Sequence, residues 1–205
     1  FRDCAEILQS TIHNSHESGA QSTIIRHILN SAGIERFTES QMEMCRLGIG
    51  LYGFSFNGAK LKNVCTLKTT ILSVKTVSGG ETIGYGRHTT LSEDRRIAVI
   101  PIGYADGYSR RLSNKAHMLV NGCKVPVVGR VCMDQCMLDV SKVSGVCADT
   151  TVTVFGTDNG AELPVEVFAE WSDTINYEAV CEIGKRVPRL FLKDGQVVGQ
   201  LNYIV

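Results

Sequence analysis

Apolar side chains are spaced differently in the two parts of the chain. Residues 4–13 repeat them at intervals of three and four, as an amphipathic helix does. The apolar runs Ser22–Leu29 and Met44–Tyr52 predict strands, and Asn30–Gly33 between them predicts the opening of a short helix. Two strands with a helical link fit the last units of a parallel α/β barrel, which is the expectation for residues 1–55.

From about Leu61 onward, short apolar runs alternate with turn signals, as β-strands joined by tight connections do. Asn121-Gly122 lies between two such runs and is the strongest hairpin signal in the chain. Pro164–Trp171 interrupts the series, because proline followed by closely spaced apolar residues predicts a helix. Residues 60–205 are expected to form a mostly antiparallel β domain after a linker at 56–62, so the fold class is α+β. The predicted strands are Thr66–Val77, Arg96–Gly103, Met118–Val128, Gln135–Val140, Thr150–Phe155, Val187–Leu192 and Val197–Val205.

Composition narrows the range of partners. The 21 basic and 21 acidic residues balance, which argues against nucleic acid or an anionic membrane as partner. No apolar run approaches the roughly 18 residues of a membrane span. The first residues carry neither an initiating Met nor a signal-peptide core, so the start is interpreted as a cut end. The eight cysteines form no Cys-x-x-Cys and do not have zinc-ligand spacing to histidine, which predicts free thiols, no metal and a reducing cytoplasm.

Four of the six tyrosines lie beside Gly, Asp or Asn, which predicts turn or loop backbone and not the interior of a strand. They are Tyr85, Tyr104, Tyr108 and Tyr177, and the first two also lie among glycines. A phenol in such a place can hydrogen-bond a phosphate or transfer a proton. It can equally pack its ring and leave its hydroxyl in water. The residues alone leave both interpretations open.

Two further stretches carry candidate chemistry. Gly48 and Gly50 follow an apolar run just after Arg46, and backbone amides freed by glycines can cradle an anion. Close backbone packing at a strand end would also require glycine there. Around Met133, apolar and acidic residues alternate, which predicts a strand with Asp134 on the opposite face, beside two cysteines.

Three motifs occur together and in order, namely Arg46–Gly53, Ile102–Arg110 and Arg130–Leu138. Together they resemble the carboxy-terminal half of alanine racemases, the pyridoxal-phosphate enzymes that interconvert L- and D-alanine. The resemblance implies an eight-stranded barrel followed by a β domain, and a homodimer whose active sites are shared across subunits. It also implies that the lysine carrying pyridoxal 5'-phosphate would precede Phe1.

The resemblance assigns roles to residues of the predicted β domain. Tyr85 matches the catalytic base that one subunit supplies to its partner's site. Met133 matches the residue whose backbone N–H binds the substrate carboxylate. Tyr104 and Tyr177 match tyrosines that line the entrance and contact the cofactor phosphate. The other residues that match the entrance and its surroundings are Arg110, Arg130, Asp134 and Ile175.

The barrel part matches the cofactor side of the family's site. Arg46 matches the arginine that donates to the pyridine nitrogen and, being always charged, keeps that nitrogen unprotonated. His27 matches the histidine behind this arginine. Ser31 and the amides of Gly48 and Ile49 match the phosphate cradle.

The leading hypothesis is therefore part of an alanine racemase that supplies D-alanine for peptidoglycan. Without the lysine, this chain alone is expected to be inactive and not to bind the cofactor. The segment Lys62–Gly86 resembles racemases fused behind a ligase of peptidoglycan synthesis. Two alternatives stay open, namely a racemase of serine or of broad specificity, and a non-catalytic β module used for dimerisation.

Overall fold

The computed structural model describes residues 2–15 and 25–204 and divides the chain into two compact units, Phe1–Val64 and Cys65–Val205. The predicted linker, 56–62, lies within the first unit. In the described part of the chain, no helix is long and apolar enough to cross a membrane.

The described residues of the first unit form two α-helices and two 3-10 helices. Helix α1, Arg2–Ser15, confirms the helical spacing of residues 4–13. Helix α2, Ser31–Arg36, begins where the sequence predicted, because the Asn30 side chain accepts a hydrogen bond from the Gly33 N–H at 3.0 Å. The 3-10 helices are Thr38–Ser40 and Ile49–Tyr52.

Both strands predicted for this unit are corrected by the structure. Ser22–Leu29 begins outside the described residues, and 25–29 is not a strand; Met44–Tyr52 runs irregularly and ends in a 3-10 helix. The two segments still lie side by side and parallel. The Met44 N–H donates to the Arg26 carbonyl at 3.3 Å, and the Arg46 N–H donates to the Leu29 carbonyl at 2.9 Å. The two donors are two residues apart along the chain, whereas the two acceptors are three residues apart. This spacing does not fit the regular hydrogen bonding of a parallel strand pair.

The second unit is a mostly antiparallel β domain, as predicted. The strands are β1 Leu67–Thr70, β2 Ser73–Val77, β3 Thr82–Ile83, β4 Thr89–Thr90, β5 Arg95–Ile100, β6 His117–Val120, β7 Cys123–Val128, β8 Cys136–Asp139, β9 Thr151–Asp158, β10 Ala161–Leu163, β11 Arg189–Lys193 and β12 Gln196–Leu201. Eight of them form one sheet in the order β1-β9-β6-β7-β8-β5-β2, with β10 pairing with β9, while β3–β4 and β11–β12 form separate two-stranded sheets. The short β3, β4 and β10 were not predicted.

Local turn chemistry explains the hairpin that the sequence predicted best. Strands β6 and β7 pair with Val120 opposite Cys123, and the two turn residues, Asn121 and Gly122, have φ of 52° and 76°. Positive φ at both turn positions is what a two-residue hairpin turn requires, and asparagine and glycine adopt it most readily. The turn therefore fixes the register of these two strands.

The strand predicted at Thr66–Val77 is in fact two strands. At the break, the Ile71 N–H donates to the Thr150 carbonyl at 3.0 Å, whereas the Leu72 N–H donates to the Val99 carbonyl at 2.8 Å. The chain thus leaves one neighbouring strand, β9, and joins another, β5. Ile71 is fully buried at this point.

One predicted helix covers part of the sheet. Helix α3, Val165–Trp171, buries Val165, Phe168 and Ala169, and the Phe168 ring lies 5.8 Å from that of Tyr108 in the core. Pro164 has an extended backbone and occupies the N-cap position, immediately before the helix, so it does not lie in the first turn of α3. Helix α4, Asn176–Cys181, was not predicted.

Strands β11 and β12 form a hairpin with apolar side chains on its surface. Those exposed are Leu190, Phe191, Leu192, Val197 and Val198. Apolar patches of this kind are typical of interaction surfaces.

Candidate functional site

Tyr85 stands on a loop that presents its phenol to solvent. The glycines on either side, Gly84 and Gly86, have φ of 79° and 77°, as the sequence suggested, and Arg87 is left-handed as well. The Arg87 side chain donates to the Thr82 hydroxyl at 2.8 Å, which fixes the loop to β3. The side chain of Tyr85 is 81% exposed. Its hydroxyl can therefore reach a ligand or another chain.

The Tyr85 loop packs against the backbone that leads to Met133. A Cβ added at Gly84 would lie 3.2 Å from the Arg130 nitrogen and 3.4 Å from the Gly129 Cα. A Cβ at Gly86 would lie 3.8 Å from the Arg130 guanidinium. The structure thus brings Arg130, one of the residues predicted for the entrance, beside the Tyr85 loop.

The strand predicted around Met133 is wrong, because these residues form a bend. The Cys132 N–H donates to the Gln135 carbonyl at 2.9 Å and closes the bend. The Cys132 and Met133 carbonyls accept hydrogen bonds from the N–H groups of Tyr104 and Ala105, at 3.1 and 2.9 Å. These bonds come from a distant segment, so they override the local strand pattern.

The bend leaves the Met133 amide available. Its side chain is 54% exposed, and across the described residues no acceptor is found for its N–H. A backbone N–H without an acceptor in an exposed residue can donate to an anionic oxygen.

Tyr104 begins a 3-10 helix, Tyr104–Asp106, that packs against this bend. The Asp106 carboxylate is buried and accepts the Gly103 N–H at 2.9 Å. Gly107 follows with φ 98°, and a Cβ there would overlap the Glu182 carbonyl. The tyrosine ring is partly exposed, so it remains accessible beside the bend.

Sequence reasoning missed one arginine at this bend. Arg186 donates to the Asp134 carboxylate at 2.8 Å, and its Nε lies 3.5 Å from the Asp106 carboxylate. The hydrogen bond to Asp134, followed by the charge of Asp106, raises the pKa of this guanidinium further. The pairs span 52 residues or more of sequence, and no local pattern points to them.

The other predicted entrance residues are exposed at helix ends. Ile175 immediately precedes α4, Tyr177 lies in its first turn, and Arg110 begins the 3-10 helix Arg110–Leu112. Their role as a group stays a prediction.

One tyrosine of the second unit is unsuited to acid–base chemistry. Tyr108 is fully buried, and burial, with a smaller contribution from Cys136, raises the pKa of its phenol well above the usual value. It therefore stays neutral in the core. Accessibility distinguishes Tyr85 and Tyr104 from it.

In the first unit, Ser31 gathers backbone amides of the glycine-rich stretch. Its hydroxyl accepts the Gly48 N–H at 3.0 Å and the Gly50 N–H at 3.2 Å. Within the ranges that the structure describes, no acceptor is found for the Ile49 N–H between them. The cradle that the resemblance assigned to Ser31, Gly48 and Ile49 thus also involves Gly50, the second of the two glycines that the sequence pattern had indicated.

Arg46 is exposed, and a backbone carbonyl orients it. Its guanidinium donates to the Ile28 carbonyl at 3.1 Å. His27, predicted to lie behind Arg46, is exposed, and no hydrogen bond between the two is found among the described residues. The role of His27 stays a prediction.

An ion pair between Arg26 and Glu43 holds together the two segments that carry His27 and Arg46. The Arg26 side chain donates to the Glu43 carboxylate at 3.0 Å, and the Arg26 backbone N–H donates to it at 2.9 Å. These bonds lower the pKa of Glu43 to about 2. The pair holds the chain before His27 beside the chain before Arg46.

The eight cysteines are free thiols. Within residues 2–15 and 25–204, no three His, Cys, Asp or Glu side chains come together in a way that could hold a metal ion.

Comparison with known proteins places the chain in a family. The family description "Alanine racemase, C-terminal domain" matches residues 64–191. Alanine racemase 1 of Clostridium acetobutylicum is 42% identical over 186 residues, which are 88% of this chain and 48% of that protein. The chain therefore spans about half the length of this relative.

Solved structures agree over nearly the whole chain. Alanine racemase from Bacillus anthracis with bound L-Ala-P superposes with a TM-score of 0.83 at 35% identity, over 97% of this chain and 51% of that one. Alanine racemase from Bartonella henselae with covalently bound pyridoxal phosphate gives 0.72 at 26% identity, over 90% and 50%. This chain belongs to the alanine racemase family and contains its carboxy-terminal domain.

Proposed function

We propose that the chain is part of a pyridoxal-phosphate-dependent racemase that interconverts L- and D-alanine. Curated relatives carry that name, and solved relatives hold an alanine analogue or the cofactor. Tyr85 acts as the acid–base residue on one face of the substrate. Met133 donates its N–H to the substrate carboxylate.

The observation that carries this proposal is the arrangement of Tyr85 and Met133 in one unit. An exposed phenol stands on a glycine-flanked loop that packs against Arg130, and the chain runs directly from there into the bend with the available Met133 amide. Racemisation of an amino acid requires a group that transfers the α-proton, and a group that binds the carboxylate holds the substrate in place for that transfer.

The residues of the first unit fit the cofactor. The Ser31 hydroxyl and the Ile49 N–H are donors of the kind that bind phosphate, and Arg46 offers a guanidinium. The Gly48 and Gly50 N–H groups, which donate to the Ser31 hydroxyl in this structure, would turn to a bound phosphate. Pyridoxal phosphate, when bound, acidifies the α-proton of the amino acid. Arg46 would face the pyridine nitrogen and keep it unprotonated, because a guanidinium accepts no proton.

The remaining assignments follow the same family. Residues 1–55 would be the last units of an α/β barrel, which the parallel pairing of the segments at Arg26 and Met44 supports. Residues 60–205 would be the β domain. The exposed Tyr85 and the apolar β11–β12 hairpin support a homodimer with shared sites.

His27 would support Arg46. The entrance would be lined or surrounded by Tyr104, Tyr177, Arg110, Arg130, Asp134 and Ile175. The protein would work in the cytoplasm in peptidoglycan synthesis, and a fused ligase is one form that the complete protein could take.

Exchange of the α-proton tests the function. The complete protein with pyridoxal phosphate, incubated in D₂O with L- or D-alanine, should give deuterated alanine of both configurations. Faster racemisation of serine would favour the alternative specificity. Absence of exchange with every amino acid tried would overturn the proposal.

A further inference from the structure

We propose that Arg186 is a positioning residue for carboxylate binding, because it holds the Asp134 carboxylate beside Met133 and offsets its negative charge. The inference rests on the proposed function, in which that N–H receives the substrate carboxylate. It adds a residue that does not itself touch the substrate.

The Arg186 guanidinium contacts two carboxylates. A terminal nitrogen of it donates to the exposed Asp134 carboxylate at 2.8 Å, and its Nε approaches the buried Asp106 carboxylate at 3.5 Å. A planar guanidinium with several donors is suited to bridging two carboxylates. Arg186 therefore links the bend at Met133 to the 3-10 helix that packs against it.

Asp106 also connects to the bend at Met133 through the backbone of the 3-10 helix. Its second carboxylate oxygen accepts the Gly103 N–H at 2.9 Å. A Cβ on Gly103 would lie 2.6 Å from the Met133 carbonyl carbon, and the Ala105 N–H donates to the Met133 carbonyl at 2.9 Å. The peptide that follows Met133 is thus connected to Arg186 through the 3-10 helix, and the Asp134 side chain is bonded to it directly.

The charge of the Asp134 carboxylate affects anion binding at the Met133 N–H. Asp134 directly follows the residue whose amide is to receive an anion, and an uncompensated carboxylate there would repel a second carboxylate. Arg186 offsets that charge from 2.8 Å, more closely than it approaches Asp106, and it stays positively charged because an arginine is not deprotonated in proteins. Losing Arg186 should therefore weaken anion binding, and removing the Asp134 charge at the same time should restore it.

Binding of acetate, a simple carboxylate, measures this without any catalytic step. In the complete protein labelled with ¹⁵N-methionine, the Met133 amide resonance is assigned by its loss in Met133→Leu. Acetate should shift this resonance. Arg186→Met should increase the acetate concentration that gives half of the full shift, on the order of tenfold. Arg186→Met/Asp134→Asn should return to within about threefold of wild type. Arg111→Met, which breaks an exposed pair with Asp173 at 3.4 Å, is the matched control and should change nothing.

Kinetics provide a second measurement. For both alanine enantiomers, Arg186→Met should raise KM, on the order of tenfold, and leave kcat within about threefold of wild type, because charge repulsion acts on binding.

Wild-type acetate affinity in Arg186→Met, or a loss that the double variant does not recover, would overturn the inference. If Arg186→Met does not fold, Asp134→Asn decides: it should bind acetate at least as well as wild type, and a tenfold loss would contradict the inference. Acetate binding with these responses but no racemisation would leave the inference intact and refute the proposed function.

Discussion

Gly103 lies against the carbonyl group of Cys132 so closely that a Cβ at this position would overlap the carbonyl oxygen. The contact is with backbone, which cannot rotate away as a flexible side chain can. It sets the distance between the 3-10 helix at Tyr104 and the bend at Met133. Glycine is therefore required here by close approach and not by its φ.

Gly103→Ala should consequently destabilise the protein and displace the bend. Overpacking of this kind costs about 1–3 kcal/mol in the free energy of unfolding, which urea denaturation measures. The Met133 amide should also lose affinity for acetate. Gly199→Ala is the control, because its Cβ would meet only the Phe191 side chain, at 3.5 Å. Equal stability of the two variants would show that the backbone at Gly103 yields easily.

Tyr85→Phe should abolish proton transfer on one face of the substrate in the complete protein. Loss of a general base typically costs about 10²- to 10⁴-fold. Deuterium exchange should fall for the enantiomer whose α-proton faces Tyr85, while visible absorbance of the bound cofactor should persist, because the proposed phosphate contacts lie elsewhere. Tyr203→Phe, at an exposed tyrosine that stacks on Lys185, is the control. Wild-type exchange rates for both enantiomers would end the assignment.

Features encoded by neighbouring residues were predictable from sequence. Asn121-Gly122 specifies its own hairpin because the required positive φ values are a property of those two residues. The opening of α2 was equally local, since Asn30 caps it through the Gly33 N–H three residues away. The glycines around Tyr85 likewise indicated its loop.

Features that depend on distant segments were not predictable in this way. The alternation around Met133 suggested a strand, but hydrogen bonds from Tyr104 and Ala105 to its backbone impose a bend. The role of Arg186 depends on Asp134, 52 residues away. Motif resemblance supplied Met133 and Tyr85 as candidates, because a family pattern records tertiary contacts that spacing alone does not.

The free energy of unfolding should fall as the pH drops below about 6.5, in part because of His117. Burial, and secondly the charge of Lys124, lower the pKa of His117, whose ring lies 5.5 Å from that of Trp171. The folded state therefore favours the neutral imidazole. Above the unfolded pKa both states are neutral and the full stability is present. As the pH falls through that value the unfolded state takes up the proton first, and stability is lost.

Urea denaturation between pH 8 and pH 5 measures this contribution. His117→Gln should flatten the pH dependence relative to wild type, because it removes the group whose protonation differs between the two states. Parallel curves for wild type and His117→Gln would contradict the assignment.

Arg46→Glu should change which reaction the complete protein catalyses. A guanidinium facing the pyridine nitrogen cannot accept a proton, whereas a carboxylate there would favour the protonated ring through its opposite charge. The protonated ring draws more electron density from the substrate, so protonation at the wrong carbon and hence transamination should increase while racemisation decreases. Pyruvate formed from alanine, measured against alanine racemised, reports the ratio of the two reactions. Arg46→Lys keeps a positive charge and should keep the ratio close to wild type, which separates charge from loss of the hydrogen bond to the Ile28 carbonyl. Normal racemisation without pyruvate in Arg46→Glu would mean that Arg46 does not face the ring.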